Sequence, residues 1–184
     1  MGFVVCVSLT VAMFLVLSTG AATVPKANSP AVITSLGQSP DAYTVSVLAK
    51  RANLTMDYNS LLPAKEVSKY KTVIMCVGVS LKGFGSAGIN LDTELKRGKE
   101  LIKAAKDNKV FLVMVHAGGE GRREQMTDML LDTLANNANL WVVLEAGNED
   151  GYFTKLSNKS KIPVLIVKDF VEIQGVLKEM FSAK

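Results

Sequence analysis

The sequence predicts a three-layer α/β domain, a parallel sheet of five to six strands with helices on both faces. Three observations carry that expectation. Short apolar, β-branched runs alternate with segments of helical periodicity from residue 31 to the end of the chain. The runs at 72–79, 110–115 and 140–144 are almost wholly apolar rather than alternating, as strands buried on both faces should be. Glycine and polar residues gather in the segments after strands, whereas the segments after helices read as ordinary helix exits.

Taken in order, residues 31–36 form a short apolar strand. Residues 40–53 then carry Ala42, Val45, Leu48, Ala49 and Ala52 at helical spacing, with Ser39 placed to cap the helix and Pro40 in its first turn. Met56 and Tyr58 alternate with polar residues over 55–59, the pattern of an edge strand. A short turn or helix at 64–69 leads into the most apolar strand, 72–79. A glycine loop, Gly78 to Gly88, precedes a helix over 92–107 with Leu95, Leu101, Ile102 and Ala105 on one face. After the strand at 110–115, Met126, Met129, Leu130 and Leu134 mark the inner face of a helix over 121–136. A strand at 140–144, a short helix at 152–158, a strand at 162–167 and a helix at 170–181 complete the chain. The last helix turns Ile173, Val176, Leu177 and Met180 inward.

The greasiest strand belongs at the centre of the sheet and the most polar at a rim. Order 2-1-3-4-5 with a sixth strand appended satisfies both conditions, a flavodoxin-like arrangement within the wider Rossmann-like class. Ligands of such sheets bind at the carboxyl ends of the strands, where the order reverses between the first and third.

Residues 3–17 form an uninterrupted apolar run followed by small residues, the pattern of a secretory signal peptide over residues 1–22. No Lys or Arg precedes the run, so an uncleaved N-terminal anchor is the competing expectation. Residues 23–30, with two prolines, read as a linker, and residues 31–184 as one domain. The leader carries no charged residue, so the mature chain keeps all 21 Lys and Arg and all 17 Asp and Glu, a formal +4. Those charges are interspersed, which argues against nucleic acid as a partner. Cys76 is the one mature cysteine, so no disulfide forms within the chain.

The carboxyl-end loops carry Gly37 to Asp41, Gly78 to Gly88, His116 to Arg123 and Glu145 to Gly151. Ser35-Leu-Gly-Gln-Ser-Pro-Asp41, Lys82-Gly-Phe-Gly-Ser-Ala-Gly-Ile89, His116-Ala-Gly-Gly-Glu-Gly-Arg-Arg123 and Gly147-Asn-Glu-Asp-Gly-Tyr-Phe153 resemble the blocks of an exported bacterial family. The resemblance extends over essentially the whole mature chain. That family has no assigned activity, so the resemblance implies export and the α/β fold and supplies no catalytic residue.

Gly83, Gly85 and Gly88 have G-x-G-x-x-G spacing, but they follow the third strand, and no acidic residue ends the next strand to hold a ribose. Lys82 precedes Gly83, which removes a Walker A reading. Pro40 follows Ser39 and has no N–H for an oxyanion, so a nucleophile elbow fails there. Ser80 with His116 remains a weak hydrolase pair. One histidine beside Glu120, Glu145 and Asp150 is a thin ligand set, so neither metal nor cofactor is expected. Arg122 and Arg123, at the expected start of a helix, oppose its dipole unless an anion or carboxylate compensates.

The sequence therefore points to an exported domain that binds a small anionic or zwitterionic molecule, for uptake or sensing beside a membrane transporter or sensor. Its expected ligand-binding residues are Gln38, Ser39, Asp41, Ser80, Lys82, Gly83, Gly85, His116, Glu120, Arg122, Arg123 and Asn148. Backbone N–H groups of 83–88 and the helix start at 39–41 would hold the anion. Glu120, Glu145 or Asp150 would meet an ammonium. Two alternatives stand beside this: an enzyme on an anionic substrate with His116 as general acid or base, and a protein-interaction domain without a small ligand.

Overall fold

The computed structural model describes residues 24–182; the expected signal peptide lies outside the described residues. Six strands form one parallel sheet: β1 (Ala31–Leu36), β2 (Asp57–Tyr58), β3 (Thr72–Val77), β4 (Phe111–His116), β5 (Leu140–Leu144) and β6 (Val164–Val167). Their order is β2-β1-β3-β4-β5-β6, the flavodoxin-like arrangement expected from the polarity of the strands. All six residues of β3 are buried, and the two residues of the rim strand β2 are both exposed. Register runs Ala31 to Thr72 through Leu36 to Val77 between β1 and β3, so their carboxyl ends finish side by side.

Side chains alternate across the strands and build a core on each face. One face packs Val32, Leu36, Met75, Met114 and Trp141 against α3 (Leu91–Asp107), α4 (Gln125–Leu134) and α5 (Tyr152–Ser160). The other packs Ile33, Ile74, Val113, Val115 and Val142 against α1 (Asp41–Arg51) and α6 (Phe170–Phe181). In α1 the periodic residues Ala42, Val45, Leu48, Ala49 and the capping Ala52 are all buried. Trp141 has no exposed surface, and its indole N–H donates to Ala135 O at 3.1 Å.

Three local expectations are corrected. The stretch expected as a glycine loop contains a helix, α2 (Leu81–Ala87). Ser80 Oγ caps it by accepting from Gly83 N–H at 3.1 Å, and Phe84 anchors it in the core. In α4, Leu130 and Leu134 face inward as expected, but Met126 and Met129 are exposed and Thr127 and Leu131 take their places. That set also has helical spacing, and it fixes the rotation because Thr127 Oγ1 accepts the buried N–H of Val79 at 2.9 Å. Ser39 is not the N-cap of α1, a position held by Pro40.

Residues 24–30, read as a linker, are fastened to the domain. Ala27 N–H donates to Met180 O at 2.9 Å, Lys26 Nζ to Glu179 O at 2.7 Å, and Asn28 exchanges two hydrogen bonds with Thr72 Oγ1. Among the described residues no helix is long and apolar enough to cross a membrane.

Candidate functional site

The carboxyl ends of β1 and β3 deliver the segment 37–41 and the start of α2 to the same place. Gly78 N–H donates to Leu36 O, Ser39 N–H to Gly78 O, and Ser80 N–H to Gly37 O, which laces the two segments together. An open cleft of about 740 Å³ lies above them. Gln38, Ser39, Ser80, Lys82, Gly83 and Arg122 all line it, so half of the expected site residues meet in one place. Tyr58, Ser60 and Leu61, in and after β2, form the far wall.

Glu94 positions the β1 side of this cleft. Its carboxylate is fully buried and accepts from Gly37 N–H at 2.6 Å, from Gln38 Nε2 at 3.1 Å and from Arg97 Nε and Nη2, each at 2.8 Å. Arg97 also donates to Ser35 O and, at 3.3 Å, to Leu62 O. A charged pair three residues apart on α3 thereby clamps the end of β1 and the segment after β2. Gln38, whose backbone sits at φ 58° in the left-handed region, is held there with its amide spent on Ser60 O and Glu94.

Behind the cleft, Asp41 Oδ2 accepts from Ser39 Oγ at 2.8 Å and lies 4.0 Å from Arg122 Nε. Arg122 also reaches Val79 O at 3.4 Å. Lys82 is exposed on α2 and makes no ion pair among the described residues. Gly118 permits this arrangement, since a Cβ there would stand 1.9 Å from Arg122 Cγ and 2.9 Å from Asp41 Oδ2.

Other expected site residues do not line this cleft. The N–H groups of Gly83, Phe84, Gly88 and Ile89 are engaged within and around α2, which leaves none of these four to cradle an anion. Gly85 is exposed and does not line the cleft. His116 has no exposed surface; Nδ1 is 3.0 Å from Val77 O, Nε2 is 3.3 Å from Gly119 O, and the ring stacks on Phe153 at 5.6 Å. Burial holds its pKa below the ordinary value, against the raising effect of the two carbonyls. Both ring nitrogens face carbonyl oxygens, and a neutral imidazole donates through one of them. So placed, it does not line the cleft.

Arg123 points away from its neighbour Arg122. It donates to Asp128 Oδ1 at 2.8 Å, to both oxygens of Asp150 at 3.1 and 3.0 Å and to Gly147 O at 2.8 Å, and its guanidinium carbon lies 4.9 Å from the Tyr152 ring centroid. Burial works to lower its pKa, but the hydrogen bonds to Asp128 and Asp150 outweigh it and the net shift is upward. Both arginines precede α4 instead of opening it, so the dipole expectation does not arise. Glu120 and Asp150 line a separate depression with Arg123. Asn148 Oδ1 accepts from Phe153 and Thr154 N–H at 2.8 and 3.3 Å, which spends its amide on the start of α5.

Cys76 is buried in β3, and burial, with a smaller contribution from Asp41, pushes its thiol pKa well up, the state of an inert core thiol.

A search of curated proteins returns no match to this sequence. Among solved structures, one described as the structure of a flavodoxin from the domain Archaea matches 82% of this chain and 94% of its own, with 9% identity and a TM-score of 0.38. The fold assignment stands on the strand order itself. The profile of the family described as "Domain of unknown function (DUF6305)" matches residues 28–181, most of the chain, and the protein belongs to that family.

Proposed function

We propose that this domain binds a small anionic molecule in the cleft between residues 37–41 and α2, as part of an exported protein that serves uptake or sensing. The observation that carries the proposal is the placement of two cations, Lys82 and Arg122, on one open cleft. Neither is closely neutralised: among the described residues Lys82 has no ion pair, and the carboxylate beside Arg122 stands at 4.0 Å. A ligand oxygen accepting from each gains about 1.5–3 kcal/mol per charge-assisted bond. The hydroxyls of Ser80 and Ser86 add neutral donors on the same wall.

A zwitterion would have to set its ammonium against Asp41, since Glu120 and Asp150 belong to another depression. A membrane transporter or sensor is the partner this role requires.

Thermal unfolding of the purified chain, with panels of carboxylates, phosphates and amino acids at fixed ionic strength, tests the proposal. A ligand present at 100 times its Kd stabilises by about 2.7 kcal/mol. The double substitution Lys82→Ala with Arg122→Ala should abolish that stabilisation while the ligand-free protein stays folded. Stabilisation that survives it overturns the proposal.

A further inference from the structure

We infer that the ligand is an organic anion built on an apolar body, an aryl carboxylate or aryl phosphate, and neither an inorganic anion nor an amino acid. This rests on the anion reading above and names its class of ligand. The cleft has two unlike walls. Lys82 and Arg122 supply charge on one side; Tyr58 and Leu61, 43% and 39% exposed, supply apolar surface on the other. Single exposed apolar residues are ordinary on any protein. Here two of them adjoin: Tyr43, 60% exposed in the first turn of α1, stands beside Tyr58. Tyr43 meets Tyr58 edge-on, with ring centroids 6.0 Å apart and planes at 71°. That geometry holds the Tyr58 ring in place while leaving it accessible.

Size points the same way. Water occupies about 30 Å³ of liquid per molecule. An inorganic phosphate, a few waters in volume, would leave Tyr58 and Leu61 on the far wall wet. Exposed cations in an open cleft are screened by salt, so charge alone gives weak binding. Covering Tyr58 and Leu61 adds a hydrophobic contribution at roughly 25 cal/mol per Å². An amino acid is disfavoured because Asp41, the carboxylate nearest Arg122, is buried and does not line the cleft.

Isothermal titration of the full chain with matched pairs, acetate against benzoate and inorganic phosphate against phenyl phosphate, tests this at constant ionic strength. The aryl member should bind at least tenfold more tightly in one pair, about 1.4 kcal/mol. Tyr58→Ser with Leu61→Ser should bring the pair to within about twofold while the simple anion keeps its affinity. Both positions are exposed, and the urea midpoint checks folding; Leu61→Ser alone, on the surface segment after β2, should lose part of the preference. Equal affinity within both pairs overturns the inference and leaves the anion reading standing. An aryl preference that survives the double substitution also overturns it. No binding by any of the four overturns both.

Discussion

Removal of the Glu94 carboxylate puts the site's scaffold to its hardest test. Glu94→Ala deletes acceptors for Gly37 N–H, Gln38 Nε2 and two nitrogens of Arg97, all within 2.6–3.1 Å. A buried N–H left without a partner costs about 1–3 kcal/mol. Losing one member of a buried ion pair costs about 3–5 kcal/mol, because the other charge is stranded. Arg97 qualifies, with its side chain only 15% exposed. The two costs do not simply add, since Arg97 retains the carbonyls of Ser35 and Leu62. The expected loss is therefore about 3–5 kcal/mol, a large part of a typical stability of about 5–15 kcal/mol. For a chain of this size it lowers Tm by between about 6 and 20 °C.

Urea unfolding followed by far-UV circular dichroism and by the fluorescence of Trp141, which is fully buried, measures the loss directly. Glu94→Gln should fall between wild type and Glu94→Ala, because the amide oxygen still accepts from Gly37. Replacing both Glu94 and Arg97 with Met should cost less than the two single changes summed, since no charge is then stranded. A loss below 1 kcal/mol for Glu94→Ala would refute the clamp and, with it, the account of how residues 37–41 are held.

Three further outcomes follow from the same contacts. Arg123→Lys should cost about 1–3 kcal/mol in the urea titration, because an ammonium cannot fork onto Asp150 while reaching Asp128 and Gly147 O; altered anion affinity in this variant would contradict its placement away from the cleft. His116 has a folded pKa below the ordinary histidine value, so the unfolded chain binds its proton first as pH falls. Its contribution is present in full above about pH 6.5 and is lost as pH drops toward the folded pKa, at no more than about 1.4 kcal/mol per pH unit. His116→Gln should flatten that part of the stability profile, and an unchanged slope would refute the assignment. Ser35→Ala removes a buried hydroxyl that has no hydrogen-bond partner among the described residues, and should leave stability equal or raise it by about 1 kcal/mol; a loss above 1 kcal/mol would refute that reading.

The sheet was legible because strand polarity is a one-dimensional record of depth. A run as apolar as 72–77 has both faces covered, and Asp57–Tyr58 can lie only at a rim. Helix α2 was not legible. Two glycines in seven residues cost about 1 kcal/mol each against Ala, so local preference argues for a loop. Tertiary contact decides otherwise through the Ser80 cap and the burial of Phe84. Glu94 was hidden for a different reason. An acidic residue in the first turn of a helix reads as a partner for the dipole. The signal that could have found it is its spacing, for Glu94, Gly98, Leu101 and Ala105 fall on one buried stripe. Arg122 and Arg123 are adjacent in sequence and opposite in role, because the 3₁₀ turn at Glu120–Arg122 sends consecutive side chains in different directions.

Glycine at the carboxyl edge is what first suggested an anion cradle, and the structure gives that glycine another use. At Gly83, a Cβ would stand 2.1 Å from Gln38 O, so α2 could not approach the segment after β1. At Gly118, a Cβ would fall on Arg122 itself. Gly85, the middle glycine of the G-x-G-x-x-G spacing, has nothing within 4 Å of such an atom and lies outside the cleft. The glycines that matter are therefore those that let three segments close on one another, and the N–H of Gly83 is engaged by the Ser80 cap. On the anion reading proposed above, recognition would fall to side chains, Lys82 from α2 and Arg122 from the segment after β4. Recognition by two long, separately mounted cations over an apolar wall sets a looser geometry than a ring of N–H donors. Such a site would select for charge combined with apolar area more than for the shape of the charged group.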